Sequence, residues 1–235
     1  VLPLKQQRVS QRQLFAALGA KHARERRRPD VIRHRGRNVS GPIAGLIAGS
    51  GWGSGSRLYG VLARLSICGR LGLGDIEIPD VLMRTDVLVV ALIMYALEFV
   101  ADKIPYLDNV WDLIHTAIRP LGAAVLGLIL VGDASGLAQT FAGIGSAGLA
   151  LTSHTAKSTT RLAVNTSPEP VSNAVVSLAE DGLVAALIFF AVEYPLVAGI
   201  VVAVLIVAGA LLMRALIGAP RRGFKRLREA WSQFS

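Results

Sequence analysis

Apolar residues in this chain fall into long runs, with no sustained alternation of apolar and polar positions. The runs cover residues 41–69, 87–103, 109–132, 134–168, 171–193 and 196–213. Runs of this length predict helices that cross or enter a membrane. The second is the most defined. Asp86 is the expected N-cap, and the run closes on Glu98-Phe99-Val100-Ala101-Asp102-Lys103-Ile104-Pro105. Glu98 and Asp102 are four apart and share a helical face. Pro105 cannot continue the helix. The last run has no charge over residues 196–213 and is long enough to span.

The first and fourth runs are expected to be irregular. Gly41, Gly45, Gly49, Gly51, Gly53, Gly55 and Gly60 weaken the first by about 1 kcal/mol each relative to Ala. It is read as two short helices broken near residues 49–55, with Arg57 and Arg64 inside. The alternative is a tightly packed small-residue helix contact. The fourth run opens on Gly136, Ala138, Gly143, Gly145, Ala147 and Gly148 and ends at Pro168.

Polar residues inside the runs repeat at helical spacing. Asp112, His115 and Arg119 lie at i, i+3 and i+7, and His154, Lys157 and Arg161 repeat that pattern. Asn173, Ser177 and Glu180 share a third face, with Asp181 beside it. With Arg57, Glu98 and Asp102 these form a polar centre of mixed sign. Charges at membrane depth are costly alone, so they are expected to pair. The expected pairing sets Glu98/Asp102 and Glu180/Asp181 against Lys157/Arg161 and His115/Arg119. Two readings stay open: a pathway for a small ion, proton or polar solute, or salt bridges that only fix helix register.

A weak internal similarity accompanies this. Residues 53–58, GSGSRL, align with 157–162, KSTTRL, and an acidic helix follows each. Six segments then divide as three plus three, which predicts an inverted repeat.

Composition sharpens the class. The chain is 52% hydrophobic, with only 17% charged residues and a mean hydropathy of +0.51. Basic charge belongs to the ends. Residues 1–40 hold eleven Lys and Arg against Glu25 and Asp30, and residues 214–235 hold six against Glu229. Between them, thirteen Asp and Glu face eight Lys and Arg. Both basic ends are therefore expected on the cytoplasmic side, which needs an even number of crossings. They are also expected to touch anionic lipid headgroups. Residues 1–40 are read as disordered, 41–217 as the transmembrane domain, and 218–235 as an amphipathic tail with Phe224, Leu227 and Trp231 on one stripe.

The same composition excludes other classes. The basic head has no reading module or interleaved aromatics, so nucleic acid is not the expected partner. Cys68 is the only cysteine, so no internal disulfide forms. The head carries no secretory signal pattern. No GxSxG, HExxH or phosphate-cradling glycine loop is present. The chain is expected not to be an enzyme and to need no cofactor. No tight ligand spacing predicts a metal site.

The strings GSGSRLYG (53–60), LEFVADKIPYLDNVWDLIHTAIRPL (97–121), HTAKSTTRLAVNTSPEPVSN (154–173) and SLAEDGL (177–183) resemble a bacterial family of integral membrane proteins known as domain of unknown function 4126. The resemblance covers most of residues 41–215 and leaves the basic head outside. It implies a multi-pass inner-membrane protein and carries over no catalytic residues. The expectation is thus an all-α, multi-pass helical bundle of about six segments with both termini cytoplasmic. It is read as transporter- or channel-like, the alternative being a non-transporting scaffold; a homo-oligomer is left open.

Overall fold

The computed structural model describes residues 41–104, 107–165 and 170–232. Side chains are not described for 162–165, 170, 172, 173 and 216–232. The basic head, Pro105, the Ser167–Pro168 turn and the side chains of Asn173 and of the tail therefore lie outside the described residues.

The described residues form six helices: α1 Gly41–Leu71, α2 Thr85–Ala101, α3 Leu107–Val131, α4 Gly136–Asn165, α5 Pro170–Glu193 and α6 Pro195–Ser232. A short 3-10 turn, Asp80–Met83, precedes α2. There is no strand among the described residues. The described residues are all-α, and the six apolar runs map onto the six helices in order.

Among the described residues, three helical stretches are long and apolar enough to cross a membrane: Leu107–Val131, Ala174–Glu193 and Pro195–Ala215. That is fewer than the six expected. Helix α2 has only 17 residues, and α1 and α4 are diluted by Gly, Ser and Thr.

Helix α1 is the unusual element. Its backbone leaves helical geometry at Arg57, with φ −146° and ψ 70°. The break falls just past the glycine run, two residues beyond the 49–55 window read from the sequence. The arms on either side fold back on each other. A Cβ at Gly53 would stand 2.9 Å from Val61 Cγ2, whereas eight residues of straight helix span about 12 Å. The first arm runs antiparallel to α5, with Gly49 facing Ala191 and Gly53 facing Val184. The second arm runs antiparallel to α2. Gly60 packs on Tyr95, and Arg70 Nη2 donates to Thr85 Oγ1 at 2.9 Å. Gly74, just past this arm, meets the Val192 carbonyl group, beside the Pro195 turn that Gly45 abuts. Both ends of α1 thus lie at one end of the bundle, here the near end. Arg57 is the tip, about 24 Å in at 1.5 Å per residue.

Helix α2 ends at Asp102, beside the Arg57 tip, and α3 to α6 run further along the bundle. Helix α4 is parallel to the first arm of α1, with Gly51 on Ser146 and Gly55 on Ala150. It is antiparallel to α3, with Gly127 on Ala142 and Ser146. Helix α6 also starts at the near end, since Gly41 meets Leu196 and Gly209 meets Ala156.

Two expectations change with this topology, the broken fourth segment and the Asp86 cap. The fourth segment is not broken: α4 is continuous from Gly136 to Asn165, because close packing against α1 and α3 uses its small residues. The expectation that both basic ends are cytoplasmic concerns a head that lies outside the described residues. Gly41 lies at the near end and Ala215 at the far end, because α1 returns without traversing. The inverted repeat is not confirmed: residues 53–56 lie on the first arm of α1, parallel to α4, and Leu58 lies past the break at Arg57, on the return arm. Finally, α2 begins at Thr85 with no side-chain cap, and Asp86 lies inside its first turn.

Candidate functional site

Beside an apolar core of residues such as Leu46, Val61, Leu65, Leu126 and Leu187, the interior of the bundle holds a cluster of buried charge. Its largest fully buried side chains are Arg57, Arg119 and Arg161. Large apolar residues such as Leu113, Phe141, Ile144, Leu196 and Ile200 are exposed on the outside.

Arg57, at the tip of α1, sits among three helices. It forms an ion pair with Asp102. Its Nε donates to Asp181 Oδ1 at 2.7 Å, and Nη2 donates to Ser177 Oγ at 3.0 Å. The break in α1 frees backbone groups, and Lys157 Nζ donates to one of them, the Ser56 carbonyl, at 3.4 Å. Irregular backbone at depth persists where protein covers it in this way.

Asp102 is the C-cap of α2 and, like Glu180, stands within 4.0 Å of Arg57, Lys157 and Arg161. Besides Arg57 it accepts from Lys157 Nζ at 2.9 Å and stands 3.7 Å from Arg161 Nη2. Its carbonyl accepts from Arg161 Nη1 at 2.8 Å. That satisfies an orphan helix-end acceptor and sets cations at a helix C-terminus, where the dipole favours them. Arg161 Nη2 also reaches Glu180 Oε2 at 3.2 Å, and Nη1 lies 3.7 Å from Asp108 Oδ2.

Arg119 holds the second half of the network. Nη2 donates to Glu98 Oε1 at 2.9 Å, and Nη1 donates to Asp112 Oδ1 at 2.9 Å. Nη1 also meets His154 Nδ1 at 2.7 Å. Arginine only donates, so His154 Nδ1 accepts and the ring is neutral with its proton on Nε2. That proton goes to Thr116 Oγ1 at 3.0 Å, and the Thr116 hydroxyl donates to the Asp112 carbonyl at 2.9 Å.

The structure thus brings together Arg57, Glu98, Asp102, Asp112, Arg119, His154, Lys157, Arg161, Glu180 and Asp181. His115 is apart from them. Its ring stacks on Trp111 at 4.5 Å; Nδ1 pairs with the Trp111 carbonyl at 2.8 Å, and Nε2 with Tyr59 Oη at 3.4 Å. Three members were not singled out in the sequence. Asp108 is buried at the start of α3, but it reads there as an ordinary first-turn acid. Tyr95 Oη donates to Asp181 Oδ1 at 3.1 Å and accepts from Arg64 Nη2 at 3.2 Å, a link with no sequence signal. Ser177 was noted only as one position on a polar face.

The network lies toward the far end, not at the centre of the bundle. The apolar stretch of α6 ends at Arg214, five residues beyond Gly209, which faces Ala156. Arg214 therefore stands near the level of Arg161. Two cavities of about 600 and 620 Å³ open elsewhere. The first lies between the near-end halves of α1 and α4, lined by Ala48, Phe141 and Gly145. The second lies at the Pro195 turn, beside Asp75, Glu77 and Glu193.

No curated protein matches the chain. No solved structure matches it either. The family model described as Domain of unknown function (DUF4126) matches residues 44–215. That range contains both arms of α1 past Ile43 and every residue of the ion network, and the chain belongs to this family.

Proposed function

We propose that the chain is an integral inner-membrane protein with a transporter- or channel-like role for a small ion or polar solute. In this reading the bundle lies in the bilayer, α3, α5 and α6 cross it, and α1 is a re-entrant pair. The basic ends meet anionic headgroups, and no catalytic step is assigned. Membrane placement is supported by the inversion of the bundle, with arginines at 0–1% exposure inside and Phe141 and Ile144 at 70% outside. Such a surface is stable only against an apolar solvent.

The observation that carries the transport reading is the placement of Arg57. A helix pair that stops inside the bundle with its tip on a charge network is the kind of broken element that builds solute sites in transporters. A flux screen in proteoliposomes tests it, comparing wild type with Asp102→Asn and Lys157→Gln. Flux in wild type and its loss in both variants is expected. No flux, or equal flux in all three, removes the reading.

The second reading, a scaffold whose charges only pair, is favoured by the bridging of the six network carboxylates. Under it, both variants lose stability and no solute moves in any protein.

A further inference from the structure

The seam where the first arm of α1 meets α3 and α4 is lined by small residues and hydroxyls. Gly51 of α1 and Gly127 of α3 both pack on Ser146 of α4. Ile43, Leu46, Ser50 and Ser54 follow on α1 at i, i+3, i+7 and i+11, one face of the helix. That face lies midway between Gly49 and Gly53, which meet α5, and Gly51 and Gly55, which meet α4. Trp52 points the opposite way, to Gly209 of α6. Ser50 and Ser54 therefore face inward, on the side of α3 and the return arm, and both are buried, as is Ser146.

Toward the ion network the hydroxyls continue. Ser56 Oγ and Ser153 Oγ are 3.0 Å apart, and the Ser56 carbonyl accepts from Lys157. Toward the near end they stop. One buried stripe of α3 carries Asp112, Arg119, Ala123, Leu126 and Leu130 in turn. Helix α3 runs toward the near end, so this stripe passes from charge to a small side chain to large apolar ones. Leu46 faces the same core from α1. Beyond it lies the near-end cavity of about 620 Å³, which Ile43 and Leu130 line.

The Ser50, Ser54 and Ser146 hydroxyls have no hydrogen-bond partner among the described residues. Other hydroxyls on these helices do. Thr116 on α3 and Thr140, Thr152, Thr155, Thr159 and Thr160 on α4 each donate to the carbonyl four residues back, at 2.7–2.9 Å. A helical serine can make the same bond. Ser146 Oγ instead lies where a Cβ of Gly127 would stand, aimed into the seam. A buried hydroxyl left unbonded is costly, and bound water satisfies such groups. The spacing fits. Ser50 and Ser54 are about 6 Å apart along the helix axis, an interval bridged by one water with two hydrogen bonds of about 2.8 Å.

We propose that this seam holds a file of water between Ser56 and Ser50 and forms the near-end half of the solute route, closed by Leu46 and Leu130. The proposal deepens the transport reading by naming its path and gate, and it rests on that reading for the route. Hydroxyls donate and accept without charge, which suits water in the seam and leaves ions to the network. An apolar constriction between a wet seam and a near-end cavity gates by dewetting.

Pulsed X-ray radiolysis of the full chain in proteoliposomes tests the water. It makes hydroxyl radicals from water in place, so a buried side chain is oxidised where water lies against it, and mass spectrometry reads the position. Leu126, beside Gly127 on the seam, should be oxidised. Leu187 on α5, comparably buried, should not. Ser50→Ala, Ser54→Ala and Ser146→Ala combined should lower the Leu126 signal several-fold. The same variant should unfold at a lower denaturant concentration than wild type, since bridged hydroxyls are lost; in a dry seam, removing unbonded hydroxyls raises the midpoint. An unoxidised Leu126 in wild type overturns the proposal, as does a signal unchanged in the triple variant or a raised midpoint. Solute flux is a separate readout. Where wild type conducts, Leu130→Ser should raise flux, and unchanged flux overturns the gate. Oxidation at Leu126 with no flux in any protein leaves the wet seam standing and sinks the transport reading.

Discussion

Arg119 shows most clearly how much one side chain organises here. It meets Glu98, Asp112 and His154 from three directions, at 2.7–2.9 Å. Removing it strands two buried carboxylates. Arg119→Met is expected to destabilise the protein by about 3–5 kcal/mol, read as denaturant unfolding in detergent micelles. Adding Glu98→Gln removes one stranded charge, and the double variant should recover about 1–2 kcal/mol of that loss. Simple addition of the two single effects would show that Glu98 and Arg119 do not act as a pair. The sequence placed Arg119 and Asp112 on one face, and helical spacing was enough for that. It could not show that His115, on the same face, turns away to Trp111. Nor could it show that His154 would be held neutral by an arginine from another helix.

At the scale of the element, α1 depends on glycine where backbone meets backbone. A Cβ at Gly55 would overlap the Ala150 carbonyl, so the first arm and α4 can pack this closely only without a side chain there. Gly55→Leu should cost at least about 1–3 kcal/mol through overpacking. Gly148, also on α4, has open space around its Cβ position. Gly148→Leu should fall within about 0.5 kcal/mol of wild type, apart from helix propensity. Similar losses at the two sites would refute the packing assigned to α1 and α4. The glycine run announced an interrupted helix, since low propensity is local. Its outcome as a fold-back at Arg57 is not local. It requires Asp102, Ser177 and Asp181 to receive the guanidinium and Lys157 to cover the freed Ser56 carbonyl.

For the whole molecule, the return of α1 sets the parity of the chain. Gly41, Gly72 and Ser135 lie at the near end, and Leu107 and Ala215 at the far end. In a Cys68→Ala background, cysteines placed singly at these five positions should label from opposite sides of sealed vesicles, three against two. Labelling of positions 41 and 215 from the same side would restore the even number of crossings that the basic ends implied.

The amino-acid sequence by itself determined the helical class, the order of the apolar segments and the identity of most network residues. Those features follow from hydrophobic runs and 3.6-residue spacing, which any local window carries. It also carried the family strings. Tertiary structure decided what separates one bundle from another. It set which acid meets which base, how deep the network lies, and that the first segment turns back while the fourth runs straight. Each of these depends on contacts between residues 19 to 124 positions apart, and no local pattern encodes how such segments meet.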